Sequence, residues 1–68
     1  MKIDFVLNGE PAAVDQGATL LDLLAGLDRD PRTVAVERNG GIVARAQYGE
    51  TRLEPGDRVE VVHFVQGG

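Results

Sequence analysis

Thr19-Leu20-Leu21-Asp22-Leu23-Leu24-Ala25-Gly26-Leu27 sets Leu20, Leu23, Leu24 and Leu27 at i, i+3, i+4 and i+7. On a helix that spacing makes one apolar stripe, which Leu21 extends. Thr19 is the expected N-cap, because its hydroxyl can accept from the free amides of the first turn. Asp22 stands three places on, at capping-box spacing. Gly26 weakens the last turn, and Asp28-Arg29-Asp30-Pro31 stops the helix. A leucine stripe on a short helix is core, and the helix needs a sheet to cover.

On either side of the helix the sequence reads as strands. Lys2-Ile3-Asp4-Phe5-Val6-Leu7 alternates, with Ile3, Phe5 and Leu7 on one face. Asn8-Gly9 is a strong signal for a two-residue hairpin turn, in which both residues need positive φ. The return strand is expected over 11–14, and Pro11 suits an edge position. After the helix, 33–38 is a strand with Val34 and Val36 on one face and Ala35 and Glu37 on the other. Asn39-Gly40-Gly41 turns it back toward Ile42-Val43. Residues 44–50 are irregular, with Tyr48 as a local anchor, and 51–53 is expected to form a brief strand. Glu54-Pro55-Gly56-Asp57 has the signature of a type II turn. The last strand covers 58–65; Val62 and Phe64 share one face, and Val59, Val61 and His63 the other. Apolar residues on both faces fit the middle of a sheet, or an outer face that meets another protein. The pattern specifies an α+β fold, a small mixed sheet with one main helix on one face.

Length and charge narrow the functions. Sixty-eight residues make one small domain with a thin margin of stability. With no cysteine there is neither a disulfide nor a thiol to act as nucleophile, sulfur store or metal ligand. Eleven acidic against seven basic residues, a net charge of −4, oppose general nucleic-acid binding. Met1-Lys2 leads directly into the first strand, and no apolar run is long enough for a signal peptide or membrane span. A cytoplasmic protein, a monomer by itself, is expected, with neither nucleic acid nor membrane as a partner.

Catalytic constellations are missing. His63 is the single histidine and has no cysteine beside it, so no metal site is expected. There is no serine, and no base is placed next to Thr19, Thr33 or Thr51. Asp28 and Asp30 read as helix-end punctuation, Glu54 and Asp57 as turn residues. Catalytic residues are therefore expected to be none, and the chain is not expected to be an enzyme. What remains is Val65-Gln66-Gly67-Gly68, a strand that runs into two glycines. Without Cβ atoms these form the slimmest tail a chain can present. The expected organisation is a single domain over 1–65 and a flexible tail over 66–68, and the expected functional group is the Gly68 carboxylate.

Val34-Ala35-Val36-Glu37-Arg38-Asn39-Gly40, Ile42-Val43 with Arg45, Gly56-Asp57-Arg58-Val59-Glu60-Val61-Val62 and the final Gly67-Gly68 together resemble the ThiS family, the sulfur carriers of thiamine biosynthesis. The resemblance covers the whole chain and implies a ubiquitin-like β-grasp fold. Family members commonly have proline before the arginine and tryptophan three places after it, where this chain has Ala44 and Tyr48.

The resemblance also implies the chemistry. An E1-like adenylating enzyme (ThiF-like) would use MgATP to convert the Gly68 carboxylate to an acyl-adenylate. Sulfur from a cysteine desulfurase pathway would displace AMP and leave a thiocarboxylate for a thiazole synthase (ThiG-like). The chain itself would bind no cofactor; ATP, Mg and the sulfur donor would belong to its partners. An extended tail from Val65 to Gly68 reaches about 10 Å, enough to enter a buried site. Gly67 and Gln66 would carry Gly68 there, while Val62 and Phe64 would meet the partner surface. Arg45 and Arg58 read as pairing groups for an acidic partner, as solvated surface or as partners within the domain. Carriers for molybdopterin or tRNA thiolation share this chemistry, although the Phe-Pro-Pro run of the molybdopterin relatives is missing. A non-catalytic β-grasp interaction module is the alternative of a different class.

Overall fold

The computed structural model describes residues 1–64. Five strands form one mixed sheet: β1 (Lys2–Leu7), β2 (Glu10–Asp15), β3 (Val34–Arg38), β4 (Gly41–Val43) and β5 (Arg58–His63), in the order β2-β1-β5-β3-β4. β5 is the central strand, parallel to β1 and antiparallel to β3. That position accounts for its buried Val59, while Val62 on its other face stays exposed. β2 is an edge strand, as its proline suggested, and runs one residue longer at each end than expected.

Both hairpins turn on Asn-Gly. Asn8 and Gly9 have φ of 51° and 81°, Asn39 and Gly40 of 54° and 86°, the positive values such a turn demands. Asn8 also continues the sheet beyond the end of β1. Its N–H donates to Val59 O at 2.8 Å, and its side-chain oxygen accepts from Val61 N–H at 2.8 Å.

The single α-helix among the described residues, α1 (Leu20–Gly26), begins with the expected capping box. Asp22 N–H donates to Thr19 Oγ1 at 3.1 Å, and Thr19 N–H donates to Asp22 Oδ2 at 3.0 Å. Seven residues are too few to hold a helix in water, so burial must stabilise it. Leu20, Leu23 and Leu24 close on Ile3, Phe5, Val34, Val36 and Val59, with Tyr48 and Leu53 completing the core. Each buried leucine contributes roughly 1.5–3 kcal/mol relative to exposure.

The apolar stripe is shorter than its spacing suggested. Leu27 is the C-cap, where the chain leaves the helix into a left-handed Asp28, and Leu27 and Leu21 are 40% and 44% exposed.

Two further expectations are corrected. β3 starts at Val34 because 31–33 form a 3₁₀ turn (Pro31–Thr33) capped by Asp30, whose carboxylate accepts from Arg32 N–H. The brief strand at 51–53 does not form. Arg52 makes one bridge to Thr19, while Thr51 O and Ala18 O satisfy amides across the connector. These residues bind the start of α1 instead of extending the sheet. Tyr48, after the 3₁₀ turn Arg45–Gln47, is buried, so the local anchor is real. The last strand is described to His63, one residue short of Phe64, and Val65 lies outside the described residues.

Candidate functional site

α1 covers one face of the sheet and leaves the other open. The β3–β5 register sets Ala35 opposite Val62 and Glu37 opposite Glu60; the β3–β4 register sets Glu37 opposite Ile42. Side chains alternate along strands, and Val36 and Val59 belong to the core. Val62, Glu60, Ala35, Glu37 and Ile42 therefore share the outer face. Ile42 and Val62 are 80% and 55% exposed.

Phe64 extends this face toward the chain end. Its N–H donates to Thr33 O at 2.9 Å, one step beyond the β3–β5 ladder, and its ring is exposed. The structure thus brings Val62 and Phe64 together on one uncovered surface at the end of the central strand. Gln66, Gly67 and Gly68 lie outside the described residues.

The other singled-out residues separate from that surface. His63 is exposed and sits opposite Val34, on the face shared with Val61. Among the described residues no group of acidic and histidine side chains could hold a metal ion. Arg45 is exposed in its 3₁₀ turn. Arg58 opens β5, where its N–H donates to Asn39 Oδ1 at 2.9 Å. Neither arginine makes an ion pair among the described residues.

Asp57 is more than a turn residue. The turn itself is as read: Gly56 has φ of 82° and Asp57 N–H donates to Glu54 O. Its carboxylate, however, is buried and accepts from Arg38 Nε at 2.8 Å, Glu54 N–H at 2.9 Å and Asn39 Nδ2 at 3.1 Å. Burial alone would push the carboxyl upward. The hydrogen bonds from Glu54, Asn39 and Arg38 outweigh it and hold the carboxyl below its ordinary range. Asp57 O also accepts from Val6 N–H, and Gly56 N–H donates to Asp4 O. One side chain thereby joins the β3–β4 turn to the entry of β5, whose far end leads to the tail. Asp30, by contrast, is exposed; its side-chain bond to Arg32 lowers its carboxyl to about 2.

The model of the ThiS family matches residues 5–68. The chain belongs to the ThiS family. A thiazole synthase of Magnetococcus marinus is 52% identical over 62 residues, which cover 91% of this chain and 19% of that protein. The chain thus spans about a fifth of that relative's length. The sulfur carrier protein ThiS of Bacillus subtilis is 44% identical over 50 residues, 74% of this chain and 76% of its own length. The crystal structure of a thiamine biosynthesis protein (ThiS) from Geobacter metallireducens superposes with a TM-score of 0.82 at 32% identity. That match covers 97% of this chain and all of the other. The five-stranded mixed sheet with its one helix is accordingly the ubiquitin-like β-grasp of the ThiS family. The Arg38-Asn39 and Gly56-Asp57 segments that carried the resemblance meet in the Asp57 network, a structural role within the domain.

Proposed function

We propose that this chain is a sulfur carrier of thiamine biosynthesis, loaded at the carboxylate of Gly68. In this reading 1–65 is the folded domain and 66–68 is the tail. A free carboxylate is a poor electrophile. An E1-like adenylating enzyme would use MgATP to form the acyl-adenylate on Gly68. Persulfide sulfur from a cysteine desulfurase pathway would displace AMP to give an acyl disulfide. A thiol would reduce its S–S bond to leave the thiocarboxylate, and a thiazole synthase would take sulfur from it. Val62 and Phe64 would dock the adenylating enzyme while Gln66 and Gly67 thread Gly68 into its site. The chain itself catalyses nothing and holds no cofactor, and it works in the cytoplasm.

The observation that carries this reading is the family match through Gly68, joined to a central strand that ends beside an open apolar face. Two further points support it. The sequence has no cysteine, so sulfur cannot ride on a side-chain thiol. A segment similar to this chain forms part of a thiazole synthase, an arrangement that would hold donor and acceptor at high effective concentration.

Intact-mass measurement tests the proposal. The purified chain is incubated with an E1-like enzyme from the same cell, MgATP, a cysteine desulfurase, cysteine and a thiol reductant. The expected gain equals replacement of one oxygen by sulfur, and adding thiazole synthase with its substrates should discharge it. No gain with any adenylating enzyme of that cell would reject the carrier role. Discharge only by a molybdopterin or tRNA-thiolation enzyme would reject the thiazole assignment.

A further inference from the structure

The outer sheet face carries a charge arrangement that the domain does not resolve by itself. The β3–β5 register sets Glu37 directly opposite Glu60, with Cβ atoms about 5 Å apart at such a position. Like charges directly opposite one another oppose strand pairing. Both side chains are exposed, and among the described residues neither joins an ion pair. Arg38 is bound to Asp57, and the four residues beyond Phe64 include no cation. Arg58 lies two places before Glu60 on the same face without reaching either carboxylate as an ion pair. Two apolar side chains also flank the pair: Ile42 beside Glu37, and Val62 one step toward the tail.

We propose that this face recognises its partner through an arginine seated between Glu37 and Glu60, its stem lying on Val62 and Ile42. The partner is the E1-like adenylating enzyme, so the inference rests on the docking reading given above. A guanidinium suits the place better than an ammonium. Its planar fork can donate to two carboxylates at once, and its weaker hydration lets it sit against apolar groups. Binding would relieve the repulsion across β3 and β5 and fix the register of β5 over the partner's active site. The excess of negative charge on the chain would also speed encounter with a basic surface.

The design places opposite signs on the free and bound chain. Glu37→Gln with Glu60→Gln removes both charges and keeps the side-chain shape. The free variant should melt at a higher temperature than the parent chain. Its affinity for the purified adenylating enzyme, measured by calorimetry, should fall at least tenfold at low ionic strength. The parent's affinity should drop steeply as the Debye length shortens from about 30 to about 3 Å, and the variant's should drop less. Phe64→Asp, tested in parallel, should also weaken binding. If Phe64→Asp weakens binding and the double glutamine variant does not, the arginine anchor is wrong and the docking face stands. If neither does, the face itself is wrong. Loss of affinity for thiazole synthase alone would overturn the choice of partner.

Discussion

Replacing Asp57 with alanine should cost this small domain a large part of its stability while leaving the outer face and Gly68 untouched. Asp57 is 6% exposed, and its carboxylate accepts three hydrogen bonds, one of them from a guanidinium at 2.8 Å. A hydrogen bond to a charged group contributes about 1.5–3 kcal/mol, and leaving a buried donor unpaired costs about 1–3 kcal/mol. Arg38 is 29% exposed, so it can turn to water and recover part of its loss. Asn39 and Glu54 are themselves exposed residues, so their donors also recover part of the loss. The sum is about 2–4 kcal/mol. At roughly 4–8 °C per kcal/mol for a domain of this size, the melting temperature should fall by roughly 8–32 °C.

Thermal unfolding followed by circular dichroism measures the shift, and its pH dependence identifies the cause. The folded carboxyl titrates below its ordinary value of 3.8. Its contribution is therefore complete above that value and is lost as pH falls through the lower folded value. Asp57→Asn should flatten this acid limb of the stability profile. A shift below about 1 kcal/mol for Asp57→Ala, too small for a lost charge-assisted hydrogen bond, would show that water replaces the network and would refute the reasoning.

Three other outcomes follow from the fold and the proposed role. Leu24→Ala, at a fully buried position on α1, should cost about 2–5 kcal/mol in denaturant unfolding, enough to leave much of the chain unfolded. Asn8→Gly keeps the left-handed turn but removes the acceptor for Val61 N–H. It should cost about 1 kcal/mol, and Asn8→Ala more, because alanine also resists the positive φ. Phe64→Asp should leave the unfolding free energy within about 1 kcal/mol of the parent, because the ring is exposed, while slowing thiocarboxylate formation at limiting enzyme. Unchanged turnover in that variant would remove Phe64 from the docking surface.

Local rules carried most of the fold into view. The Asn-Gly turns, the capped leucine stripe and the two-faced last strand each depend on residues within a few places of one another. Together they specify a mixed sheet with β5 inside it. The brief strand at 51–53 misled because a Thr-Arg-Leu alternation cannot show that its partner is the N-terminus of α1. Leu27 misled because the stripe's period says nothing about where the chain leaves the helix.

The Asp57 network was hidden for a different reason. Arg38 and Asn39 stand 19 and 18 residues from Asp57, and a Pro-Gly-Asp turn accounts for the aspartate locally. Only the pairing of β3 with β5 brings the three side chains together. The same holds for the outer face. The sequence picked out Val62 and Phe64, but Glu37, Glu60 and Ile42 join them only once the register is known.

Fragmentation mass spectrometry of the loaded chain tests the central claim most directly. After incubation with the adenylating enzyme, MgATP and the sulfur donor, the added sulfur should map to the Gly68 carboxyl, and a chain lacking Gly68 should gain none. Sulfur found on any other residue, or loading that survives removal of Gly68, would contradict the account.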